Sequence, residues 1–115
     1  MSHMHDSDYW TRVHTESVVL DIGDDVGALV LYTLPHLHGR EIEVSPLGQD
    51  SQRVHTAVLE RRANGRTLFA AVYAELREGR YRIWGDDARL PSEVTIEAGR
   101  VAEVDWAAPV AVALT

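Results

Sequence analysis

Residues 67–85, TLFAAVYAELREGRYRIWG, constrain the fold of this chain more than any other stretch. Leu68 to Tyr73 is an almost unbroken apolar run. Too few of its residues are polar for either face to meet water, so it belongs in the interior of a sheet. Arg77-Glu78-Gly79 interrupts it. Beyond the interruption the residues alternate strictly, with Tyr81 and Ile83 on one side and Arg80, Arg82 and Trp84 on the other, as a half-exposed strand requires. The pair reads as a hairpin at the centre of the fold.

The rest of the chain repeats this vocabulary. Val18, Leu20 and Ile22 alternate up to a Gly23-Asp24-Asp25 turn, and Ala28 to Leu34 (ALVLYTL) is a second nearly all-apolar strand closed by Pro35. Glu41 to Val44 alternates cleanly, and Ser45 to Gln52, with Pro46 and Gly48, reads as a loop. Arg53 to Arg62 fits two periods. As a helix it puts Val54, Ala57, Val58 and Arg61 on one face; as a strand it sets Val54, Thr56 and Val58 against His55, Ala57 and Leu59. The strand is preferred, because Asn64-Gly65 followed by Thr-Leu-Phe is a strong hairpin signal. Gly85 to Pro91 is a loop. Glu93 to Glu97 points Val94 and Ile96 inward, and after Ala98-Gly99-Arg100 a last strand puts Ala102, Val104 and Trp106 on one face, as a plain hairpin would.

Seven or eight short strands, turn signals at intervals of about 8–12 residues and no convincing helix predict a single antiparallel β-sandwich. At 115 residues the chain suits one domain with a core of its own. The expected layout is an N-terminal arm over 1–14, flexible or docked through Tyr9 and Trp10, a sandwich over 15–106, and an apolar tail over 107–115 suited to an edge strand. Ser2-His3-Met4 resembles the residue of a cloning site.

Composition removes whole classes of chemistry. The chain has no cysteine, which excludes disulfides, thiolate metal sites and cysteine nucleophiles. Its eleven basic residues are all arginine, which excludes Schiff-base lysine and phosphate-loop lysine chemistry and resembles the usage of high-GC genomes. A formal charge of −7 argues against nucleic acid as the main partner. No stretch approaches the ~20 apolar residues of a membrane span, and the first ten residues lack the pattern of a secretory signal. A cytoplasmic location is the expectation.

Phe69 to Trp84, FAAVYAELREGRYRIW, resembles the signature of transthyretin-like sandwiches, including the carboxypeptidase regulatory-like and collagen-binding B-type repeats. In these a strand leads into a Leu-x-x-Gly-x-Tyr turn, here Leu76, Gly79 and Tyr81, followed by an alternating strand and a final hairpin. The resemblance spans about residues 54–106; the proline that often precedes the turn glycine is Glu78 here. It implies a transthyretin-like or immunoglobulin-like sandwich serving as a binding or accessory module, because such domains are rarely catalytic. The residues themselves have ordinary reasons: Gly79 permits the turn, Tyr81 fills the core and Leu76 plugs the sandwich end.

Several constellations are candidates for chemistry. If His36 and His38 lie in an extended segment, both imidazoles point to one side and could share a zinc or copper ion, with Glu41, Glu43, His14 or His55 as third ligand. The alternative is a pair of solvated loop histidines. His3 and His5 near the amino terminus could wrap Cu(II), against the plainer reading of a tail. Ser17, Ser45, Ser51 and Ser92 lack any nucleophile-elbow context, and Asp24-Asp25 and Asp86-Asp87 lack calcium-loop spacing. Arg61, Arg62, Arg66, Arg80 and Arg82 cluster in sequence. Arg80, Arg82 and Trp84 could form an anion- or partner-binding patch, unless Glu60, Glu75 and Glu93 neutralise them across strands.

The favoured expectation is a non-catalytic module acting through a protein partner or another copy of itself. The apolar tail and the aromatics Tyr9, Trp10 and Trp106 point that way. A small histidine-based metal-binding protein is the alternative and a hydrolase a further one. No cofactor is predicted.

Overall fold

The computed structural model describes residues 22–107. The N-terminal arm with its His3, His5 and His14, the aromatics Tyr9 and Trp10, Ser17, the first turns of the 17–22 strand and the tail from residue 108 lie outside the described residues.

Among the described residues eight strands form two sheets: β1 (Val26–Thr33), β2 (Glu41–Pro46), β3 (Val54–Ala57), β4 (Leu59–Ala63), β5 (Arg66–Arg77), β6 (Gly79–Ile83), β7 (Glu93–Ile96) and β8 (Val101–Asp105). One sheet has the order β4-β5-β1-β8 and the other β3-β2-β6-β7. The architecture is an all-β sandwich. A single turn of 3-10 helix, Pro35–Leu37, links β1 to β2. No helix among the described residues is long and apolar enough to cross a membrane.

The apolar runs occupy the interior strands. β5 lies between β4 and β1, and β1 between β5 and β8. Their inward side chains Leu29, Leu31, Ala71 and Tyr73 meet Ile42, Val44, Tyr81, Ile83 and Ile96 from the other sheet in one core. A second cluster, Ala28, Val30, Ala70, Val72 and Val101, sits on the opposite face of the same sheet, with Ile22 and Tyr32 against it. Both faces of this sheet are therefore apolar, which is why β1 and β5 read as continuous rather than alternating runs.

Three expectations need correction. Residues 53–62 are neither helix nor one strand: β3 pairs with β2, β4 pairs with β5, and the chain changes sheets at Val58, which is fully buried. The Asn64-Gly65 turn does join β4 to β5, with φ of 55° and 75°, the pair of positive angles that a type I′ hairpin demands. The central stretch is not a hairpin, because β5 and β6 belong to different sheets and Arg77-Glu78-Gly79 is a crossing between them. The Glu78 N–H donates to the Asp25 carbonyl at 2.8 Å, and the Tyr81 hydroxyl closes the corner on the Arg77 carbonyl at 2.8 Å. The last two strands are not a hairpin either. β7 pairs with β6, whereas β8 crosses over to run parallel to β1, the one parallel ladder among the described strands of an otherwise antiparallel fold. That crossing rests on Gly27, where an added Cβ would fall onto the Glu97 carbonyl oxygen and lie 2.9 Å from that of Arg100.

Candidate functional site

At one end of the sandwich the 3-10 turn, the first residues of β2 and the loop after β6 diverge around a groove of about 990 Å³. Leu34, Leu37, Ile42, Leu90 and Trp106 supply its apolar wall, and Arg40, Glu41, Glu43, Arg53, Asp86, Asp87 and Arg89 its charged lining. The volume falls at the upper end of the range for small-molecule sites. Gly85 shapes the floor: an added Cβ would meet the Trp106 ring at 2.9 Å, so glycine lets the indole pass beneath the chain. Trp106 is 6% exposed and donates its ring N–H to the Pro91 carbonyl at 2.8 Å. It is a core residue and not the exposed partner-seeking aromatic expected from its place near the chain end.

Trp84 stands at the groove mouth. Its backbone N–H donates to the Glu43 carbonyl at 2.9 Å, extending the β2–β6 ladder by one residue, and its ring N–H donates to Ser45 Oγ at 3.0 Å. These two bonds fix the indole. The Arg53 guanidinium lies 3.7 Å and that of Arg82 3.9 Å from the ring centroid. Both are cation–π contacts. Arg53 is also held by Glu43 Oε1 at 2.8 Å and by the Asp50 carbonyl at 3.0 Å.

The expected row on β6 is thus present, in two parts. Arg80 pairs with Glu93 at 2.6 Å, as the cross-strand alternative required. Arg82 stands opposite Glu93 in the β6–β7 register, yet Glu93 goes to Arg80 and Arg82 turns to Trp84. Arg61, Arg62 and Arg66 are on the β4–β5 hairpin of the other sheet, so the arginine cluster is a cluster in sequence only. Burial lowers the pKa of Arg61 from its ordinary value, and its Nε is buried without a hydrogen-bond partner. Arg53 was not singled out by sequence. Its meeting with Trp84 depends on β3 and β6 flanking β2, which no local pattern encodes.

The other candidates fall elsewhere. His36 lies within the 3-10 turn and His38 just beyond it, not in the extended segment that would aim both rings one way. His36 lines the groove, whereas the His38 ring meets Phe69 edge-on at 5.6 Å. Three nominated third ligands are engaged, Glu41 and His55 with each other at 3.2 Å and Glu43 with Arg53. Among the described residues no three His, Cys, Asp or Glu side chains converge to hold a metal ion. Ser45 is fully buried and accepts from Trp84; Ser51 and Ser92 are exposed. Of the paired acids, Asp25 meets Arg77 at 3.3 Å, and Asp87 meets Arg89 at 2.9 Å. The Arg89 side chain and backbone N–H hold the Asp87 carboxyl below the usual carboxylate range.

Comparison with known protein families, curated proteins and solved structures returns no match.

Proposed function

We propose that this chain is a non-catalytic binding module that holds a segment of a protein partner in the groove at the Trp84 end of the sandwich. One observation carries the reading: a groove with an apolar wall whose charged groups are largely engaged with one another, Glu43 with Arg53 and Asp87 with Arg89. Groups locked in this way shape and orient a surface. A catalytic acid or base must instead stay available to exchange a proton with substrate. The resemblance to transthyretin-like accessory domains agrees with this. It is supported by the turn chemistry, since Leu76 and Tyr81 are buried, Gly79 takes a φ of 142°, and the Tyr81–Arg77 bond has the form of the tyrosine corner of immunoglobulin-type sandwiches.

A displayed library of random peptides, panned against the protein and against Leu34→Arg, tests the proposal. Leu34 lines the groove and is exposed, so the arginine obstructs the wall without disturbing the core. Sequences that bind the parent and are lost on Leu34→Arg are the expected result. Enrichment of nothing, or of sequences indifferent to Leu34→Arg, overturns it.

A further inference from the structure

We infer that residues 17–21 (SVVLD) dock on the outer edge of β8, pairing antiparallel with it and adding a strand to the β4-β5-β1-β8 sheet. The inference stands apart from the groove and its occupant.

β8 is an edge strand among the described residues, and a bare edge presents a row of unpaired N–H and C=O groups. The backbone groups of β8 alternate between its two sides. The Arg100 carbonyl accepts from Ala28 N–H at 3.0 Å, and Trp106 N–H donates to the Tyr32 carbonyl at 2.8 Å, so the even-numbered residues face β1. Val101, Glu103 and Asp105 therefore aim their backbone groups away from the sheet. Val101 has no charge, ring or side-chain polar atom, yet it makes a contact beyond the β1 ladder, and only its backbone can make it. Glu103 is likewise engaged beyond the bond it accepts from the Tyr32 hydroxyl. Val101 is also only 8% exposed, low for a residue at the rim of a sheet.

Gly23 identifies the segment that arrives there. It exchanges backbone hydrogen bonds with Val26 at 3.0 and 3.3 Å in an antiparallel bridge. The Val26 carbonyl also accepts from Gly99 N–H at 2.9 Å, so Gly23 lies on the edge of β1 that β8 goes on to occupy. The chain ahead of Gly23 thus runs opposite to β1, and opposite to β8, which is parallel to β1. β8 fills the place beside β1, and the next edge on that side is its own. Ile22 already rests against the outer-face cluster that includes Val101. From Ile22 a two-residue period carries Leu20 and Val18 to the outer face and Val19 to the inner one. Both faces of this sheet are apolar, and Val18-Val19-Leu20 is apolar on both. Five residues at about 3.3 Å each match the length of the five in β8. The apolar tail from residue 108 is the rival occupant. Its described neighbour Trp106 belongs to the inner core, however, whereas Ile22 sits on the outer face.

Nuclear magnetic resonance on the isotope-labelled full chain tests the pairing. Cross-strand Hα–Hα and amide contacts between residues 17–21 and 101–105, in antiparallel order, are the expected result. A second variant, Leu20→Ser, should speed exchange of the Glu103 amide about tenfold relative to amides of β5, because the opening is local to the edge. Contacts from residues 108–115 to β8 instead would give the edge to the tail and overturn the proposal. Contacts seen only between labelled and unlabelled molecules would give it to a second copy, and no contacts at all would leave it bare; each overturns the proposal too. Spectra of the parent decide the pairing whether or not Leu20→Ser folds, and a folded Leu20→Ser with unchanged exchange at Glu103 counts against it.

Discussion

Tyr73 reaches across the sandwich and donates its buried hydroxyl to the Ile42 carbonyl at 2.6 Å, tying the two sheets together. Burial, and then the neighbouring Glu43 charge, raise its pKa above the ordinary 10.0. Tyr81 is raised as well, by burial, with Arg77 opposing. Above pH 10 the unfolded chain releases phenolic protons that the folded chain retains. Stability is therefore complete below that pH and falls as pH rises beyond it. Replacing Tyr73 with Phe should cost about 1–2 kcal/mol at neutral pH, the worth of a buried hydrogen bond and the carbonyl it leaves unpaired. The variant should then lose less stability than the parent between pH 9 and about 11.5, the remaining fall being the share of Tyr81. Urea midpoints across that range check both parts, and parallel pH curves would contradict the second. The pattern around Leu76, Gly79 and Tyr81 made the role of Tyr81 legible at this scale. Nothing in sequence paired Tyr73 with Ile42 or Trp84 with Arg53, because both contacts span strands brought together only by sheet assembly.

Strand positions were readable at the scale of elements, and strand partners were not. Alternation is local: each residue is judged against its neighbours one and two places away. It located β1, β2, β5, β6 and β7 to within a few residues. Membership of a sheet is a competition among all strands, so continuity in sequence misled three times. β3 and β4 looked like one strand, and two sheet crossings, β5 to β6 and β7 to β8, looked like hairpins. Asn64-Gly65 was the exception, because a two-residue type I′ turn leaves the flanking strands no choice but to pair. The β7–β8 crossing depends on a single backbone approach. Gly27 sits at the irregular step in the β1–β5 register, and the crossing turn is bonded to it on both sides: Gly99 N–H to the Val26 carbonyl at 2.9 Å and Ala28 N–H to that of Arg100 at 3.0 Å. Gly27→Ala should destabilise the protein by about 2–3 kcal/mol, since the clash is with backbone and no side chain can swing aside. Chemical denaturation measures the loss; a variant as stable as the parent would show that the turn is free to shift.

Taken whole, the molecule is built from pairings distant along the chain. β1, an early strand, lies between β5 and β8, and its parallel ladder with β8 forms only once nearly the whole domain has been traversed. Loop-closure entropy must be met before such contacts stabilise anything, so refolding should take milliseconds to seconds, not microseconds. Stopped-flow fluorescence, with buried Trp106 among its reporters, checks this; a dominant microsecond phase would mean that local structure nucleates the fold. The groove is a property of this scale too. Its walls come from the 3-10 turn, β2, Arg53 just before β3, the loop after β6 and the residues that follow β8, segments with no common pattern in the sequence.

By itself the sequence determined the all-β class, the position and facing of most strands, the Asn64-Gly65 hairpin and the outward row of Arg80, Arg82 and Trp84. Turn residues and a two-residue period are written in adjacent positions, where backbone sterics and burial act directly. Only the tertiary structure decided which sheet each strand joined, that Glu93 would take Arg80 and leave Arg82 to Trp84, and that Arg53, just ahead of β3, would share the same ring. Those outcomes depend on which side chains reach one another after the sheets assemble, a three-dimensional competition that no window of the chain contains.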